Sequence, residues 1–134
     1  MLVIRNAQRE ALRTVVKRGF ADRMIAHLRE FVPEVCEDLS DRQLLTAIDH
    51  GIARAARYGV SAERDVCKYL TVMCTFGLEF DDDEALPWVS AALDPSSGRH
   101  ATFRVDDLMS EAIEQLRENP QLQITSLGSV PHDE

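Results

Sequence analysis

Leu12, Val16, Phe20, Met24, Leu28 and Phe31 follow one another at spacings of four, four, four, four and three. A helix returns to the same face every 3.6 residues, so these side chains form one apolar stripe. Gly19 lies inside the stripe without shifting its phase and marks a place where the helix can bend. Asn6 suits the N-cap, where a short polar side chain satisfies free amide groups. Pro33 biases Val32 away from helical geometry and closes the segment. The pattern predicts one long helix over about residues 6–31.

The remaining punctuation is also helical. Ser40-Asp-Arg-Gln43 makes a capping box, with Ser40 at the N-cap and Gln43 at N3. Leu44, Leu45, Ile48, Ile52 and Ala55 then keep helical spacing, and Gly59 suits the left-handed position that ends a helix. Ser61 is expected to cap a third helix, with Glu63 and Asp65 in its first turns matching the helix dipole. Val66, Tyr69, Leu70, Val72, Met73, Cys74 and Phe76 cover more than one stripe, so this helix should lie centrally. Gly77 ends it. Pro87 fits the first turn of a short helix through about Leu93, and Asp94-Pro-Ser-Ser-Gly98 reads as a turn. Val105, Leu108, Met109, Ala112, Ile113 and Leu116 define a last amphipathic helix that stops before Pro120. The expected fold is all-α: a compact bundle of four to five helices.

A chain of 134 residues has room for one domain. The expected domain covers 1–119, followed by a flexible tail at 120–134 in which Leu122 and Ile124 can dock. Cys36, Cys67 and Cys74 are odd in number and form no CxxC pair, so they read as reduced thiols. Cys67 and Cys74 read as small buried residues, and Cys36, in the Pro33–Asp38 connector, as the more exposed thiol. The N-terminal MLVIRNAQRE lacks the apolar stretch of a signal peptide, and no run reaches membrane-span length. The expectation is a cytoplasmic protein with no membrane association.

The net charge of −8 is unevenly placed. Residues 1–31 carry +4, residues 32–77 carry −2, and residues 78–134 carry −10. That balance disfavours nucleic acid as a partner, because binding phosphates requires cations that displace counterions. The acidity is a located feature that can keep the chain soluble or steer a partner.

No motif in the chain specifies catalysis. Asp81-Asp82-Asp83-Glu84 offers hard oxygen ligands, but a calcium loop counted from Asp81 would need Gly at its sixth position and an acid at its twelfth. Leu86 and Ala92 stand there, so no metal or other cofactor is expected. His27, His50, His100 and His132 form neither HExxH nor a His-to-Cys zinc spacing. The six glycines are too scattered for a nucleotide-binding loop. An enzyme would need a dispersed site, such as Cys36 gathered with His27 and His50 in one pocket.

Two places carry interaction chemistry. In Gly51-Ile-Ala-Arg54-Ala-Ala-Arg57-Tyr58-Gly59, Gly51 and Ala55 allow close approach of another helix. Arg54 and Arg57 extend toward acids or a partner; Arg54 with Asp65, or Arg57 with Glu63, would tie two helices together. Trp88, after the acidic run, can fill the core or anchor a partner.

The order HLREFVPE at 27–34, GIARAARYGVSAERDVCKYL at 51–70 and FGLEFDDDEALPW at 76–88 resembles a family of small helical bacterial proteins. These are encoded beside effectors and spike components of type VI secretion systems. The resemblance spans residues 5–115 and rests on packing and helix-junction patterns. It implies an accessory, adaptor or immunity role and transfers no catalytic residue.

Together these readings predict a non-enzymatic protein-interaction module, an adaptor or chaperone for a secretion-system effector. Asp81, Asp82, Asp83, Glu84 and Trp88 are the expected partner contacts, with Arg54 and Arg57 as second choice. The alternatives are an immunity protein that masks the basic active site of a toxin, an enzyme with a dispersed site, and a structural homo-oligomer.

Overall fold

A computed structural model describes residues 6–119, and the side chains of residues 19–119. The tail expected at 120–134 lies outside the described residues. Six α-helices follow in order: α1 Asn6–Phe31, α2 Pro33–Cys36, α3 Asp41–Ala56, α4 Glu63–Phe76, α5 Pro87–Leu93 and α6 Ala101–Glu118. Short 3-10 turns lie at Phe80–Asp82 and Pro95–Ser97, and there is no strand among the described residues.

The capping box acts where the sequence places it. Ser40 Oγ accepts from the Gln43 amide at 3.1 Å while Gln43 Oε1 accepts from the Ser40 amide at 3.0 Å. This reciprocal pair satisfies two amides that the first turn of α3 leaves free. Pro33 both ends α1 and starts α2, so the expected connector contains a helical turn. Its burial overturns one expectation: Cys36 is 1% exposed, because α2 folds Val35 and Cys36 under the end of α1. The start of α4 is a second correction. Its N-cap is Ala62, with no side-chain cap bond, so Ser61 does not serve there. The acids Glu63 and Asp65 still occupy the first turn, where the helix dipole favours them.

Helix α4 lies at the centre, packed against α6, α3 and α1. Tyr69, Leu70, Met73 and Cys74 on it are fully buried together with Leu28, Ile48, Phe80, Leu93 and Leu108 from the surrounding elements. A fully buried side chain of this size contributes roughly 1.5–3 kcal/mol, so these residues carry most of the cohesion. Gly51 lets α3 approach α4 closely. A Cβ there would stand 2.2 Å from Leu70 Cδ2 and 2.9 Å from Met73 Sδ. No helix among the described residues is long and apolar enough to cross a membrane.

Arg104, 6% exposed, locks the far end of the bundle. It donates through Nη1 to Tyr58 O and Leu93 O, each at 2.8 Å, and through Nε to Arg99 O at 3.0 Å. One buried guanidinium thus satisfies carbonyls just past the end of α3 and at the end of α5, where helices leave acceptors unpaired.

Candidate functional site

The acidic run divides into one structural residue, Asp81, and three exposed ones. Arg54, in the last turn of α3, donates through Nε to Asp81 Oδ2 at 3.0 Å and through Nη2 to Asp81 Oδ1 at 2.8 Å. The Tyr58 hydroxyl donates to the same Asp81 Oδ2 at 2.7 Å. The Asp81 side chain is wholly buried, so it is not a partner contact, against the sequence expectation. Its place in the 3-10 turn, beside buried Phe80, turns it inward.

Asp82 also accepts from Arg54 Nη2, and Glu79 lies 3.5 Å from the same nitrogen. The Glu79, Asp81 and Asp82 carboxylates bring oxygens within 4.8 Å of one another, a spacing that suits a cation. Arg54 supplies that cation. The hydrogen bond from Arg54 holds Asp82 below the usual carboxylate range. Burial, followed by the bond to Asp81, pushes the Tyr58 phenol up to about 12. The Tyr69 ring packs at a tilt against Phe80, 5.0 Å between centroids, and burial raises its phenol as well. His50 Nε2 lies 3.2 Å from both Leu78 O and Glu79 Oε1, pinning the entry to the turn.

The expected ion pairs therefore form with other partners. Arg54 pairs with Asp81 rather than Asp65, and Glu63 pairs with Arg23 at 3.0 Å rather than with Arg57. Asp65 is buried and accepts from Thr102 Oγ1 at 2.8 Å, joining α4 to α6. Arg57 stays exposed near Asp82.

Asp82, Asp83 and Glu84 are exposed, and the loop leads directly into α5. Trp88 on α5 is half-buried, with its ring edge-on to Phe76 at 5.2 Å between centroids. Its remaining surface lines an open groove of about 530 Å³ between α5 and α6. Ala91 and Ala92 form one wall; Asp107, Ser110, Glu111 and Glu114 of α6 form the other. The sequence reading missed these α6 acids. Their spacing of four and three after Asp107 puts all three on one helical face, which was the available signal.

His27, Cys36 and His50 do not converge. His27 packs on Phe31 at 4.5 Å, His50 sits at the Leu78–Glu79 turn, and Cys36 is buried under α1. Burial raises all three cysteine thiols, that of Cys74 to about 12. His100 caps α6, its Nδ1 accepting from the Thr102 amide at 3.1 Å. His132 lies outside the described residues.

Comparison with protein-family models, with curated proteins and with solved structures finds no match for this chain.

Proposed function

We propose that this chain is a non-enzymatic docking module that receives a basic segment of a partner protein in the groove between α5 and α6. The observation that carries the reading is the placement of Trp88 beside Asp107, Glu111 and Glu114. A half-buried aromatic ring offers apolar contact area already held in place by Phe76, and carboxylates around it favour Lys or Arg on the incoming chain. Asp83 and Glu84, in the loop before α5, extend the negative field and would speed encounter. Asp107 already pairs with Arg99, and Glu114 stands 3.9 Å from Arg117 across an exposed contact, so Glu111 is the most available of the three acids.

The resemblance to proteins encoded beside type VI secretion components supports an adaptor or chaperone role toward a secreted effector in a bacterial cytoplasm. An immunity protein uses the same chemistry, an acidic groove over the basic site of a toxin. Co-expression separates the two: an immunity protein restores growth to cells making the toxin, whereas an adaptor changes effector loading or export.

The direct test uses purified products of the flanking coding sequences as candidate partners, with affinity measured over a salt series. Replacing Glu111 and Glu114 with Gln, and Asp83 with Asn, should weaken binding and flatten its salt dependence. Asp81 must be left intact, because it supports the fold. Unchanged affinity and slope in the variant would remove the groove from the account.

A further inference from the structure

A second groove lies on the opposite flank of α6, with different chemistry. It has a volume of about 360 Å³ and is floored by Cys67 and Thr71 of α4. Phe31 of α1 and Met109 of α6 form its walls, and Arg64 and Lys68 stand at one end. Phe31 is 61% exposed, the most exposed large apolar residue among those described. It is held in place by its 4.5 Å contact with His27, whose Nε2 is 3.4 Å from Thr71 Oγ1.

The charge at the rim is specific. Lys68 is paired with Asp106 at 2.5 Å. Arg64 is exposed and has no hydrogen-bond or ion-pair partner among the described residues. An occupant that fits must therefore present apolar side chains to Phe31, Cys67 and Met109 and a carboxylate to Arg64. Arg64 to Thr71 is two helical turns, about 10 Å. That is the length over which a docked helix displays anchors at i, i+4 and i+7.

We infer that this groove binds an amphipathic, acidic helical segment of a partner protein, with its apolar stripe against Phe31 and Met109 and a Glu or Asp against Arg64. The inference rests on the reading of the chain as a docking module and makes it bivalent. One flank of α6 takes a basic segment, and the other takes an acidic one. A chain with two grooves of opposite preference can bridge two proteins, which is what an adaptor does.

The test uses the intact protein and two synthetic helical peptides, each with Leu at i, i+4 and i+7. One carries Glu beside the stripe and the other Lys at the same positions. Anisotropy titration should show the Glu peptide binding about tenfold or more tighter than the Lys peptide. Phe31→Ser should weaken the Glu peptide about tenfold. Arg64→Glu should reverse the preference between the two peptides. Both residues are exposed, so circular dichroism and urea midpoints should stay near those of the parent. Equal binding of the two peptides, or an Arg64→Glu variant that keeps the original preference, overturns the inference. A dimer in light scattering that dissolves in Phe31→Ser also overturns it, by assigning the groove to a second copy. Failure here leaves the α5–α6 groove intact, because Glu111→Gln and Glu114→Gln should not alter binding of the Glu peptide. If they change it markedly in either direction, the peptide sits in the α5–α6 groove and the inference fails.

Discussion

Arg54 grips the buried Asp81 carboxylate with two donors, Nε at 3.0 Å and Nη2 at 2.8 Å, and so ties the end of α3 to the turn that precedes α5. A paired fork of this kind fixes direction as well as distance. It sets where Trp88 emerges, since only a short loop separates Asp81 from α5. The acidic stretch thus contributes one residue to the fold and leaves its neighbours to the surface.

Removing one partner of this pair should cost much more than removing Asp82. Arg54→Met leaves the Asp81 charge buried without its cation, and about 3–5 kcal/mol of stability should be lost. Asp82 is exposed, so Asp82→Asn should leave the urea midpoint nearly unchanged. Equilibrium urea unfolding of the two variants checks the contrast. Equal losses would show that the pair is not a buried lock.

Alkaline titration should reveal the same network. Burial and the bond to Asp81 raise the Tyr58 phenol to about 12, against about 10 for a free tyrosine. The unfolded chain loses this proton first, so the protonated phenol favours the fold. That contribution is complete below about pH 10 and falls as pH rises toward 12. Phenolate absorbance of the native protein should therefore lag behind that of the urea-unfolded protein, and Tyr58→Phe should flatten the decline in stability over that range. A native titration that coincides with the unfolded one contradicts the bond.

Gly51→Ala sets two effects against each other. Alanine gains about 1 kcal/mol of helix propensity over glycine. The added Cβ would stand 2.2 Å from Leu70 Cδ2, and overpacking of this kind costs about 1–3 kcal/mol. Net destabilisation in thermal unfolding is expected, and the added cost of Gly51→Ala should shrink when it is measured in a Leu70→Ala background. A stabilised single variant would mean that α3 and α4 can move apart freely.

Thiol reactivity should follow burial. Cys36 and Cys74 are 1% and 0% exposed, whereas Cys67 is half-buried in the groove beside Lys68. Because burial also raises the Cys67 thiol, alkylation near neutral pH should be slow and should reach Cys67 well before the other two. Peptide mapping by mass spectrometry reads the order. Labelling of Cys36 first would place α2 wrongly.

Local signals were readable in the sequence, and long-range pairings were not. The α1 stripe and Pro33 give Asn6–Phe31, and the Ser40 capping box gives the start of α3, because both depend on residues within a turn or two. The close packing at Gly51 was also legible, since a missing side chain between apolar turns has few other uses. Arg54 had several acids to choose from, and only the turn at Phe80–Asp82 brings Asp81 to it across 27 positions of chain. Arg104 was missed for the opposite reason. It binds carbonyls, which leave no mark in the side-chain pattern. The acids of α6 were legible as a helical face, but their meaning depends on Trp88 arriving beside them from α5.

Trp88 is the single tryptophan of the chain and therefore reports on the proposed groove without labelling. The most direct measurement is its fluorescence as a purified flanking-gene product, itself free of tryptophan or with its tryptophans replaced, is titrated into the protein at low and high salt. A saturable change in Trp88 emission is expected, weakening as salt rises and lost or strongly weakened in the Glu111→Gln, Glu114→Gln variant. Tight binding of the same partner with no change in Trp88 emission, and with no effect of those two substitutions, would contradict the proposed groove.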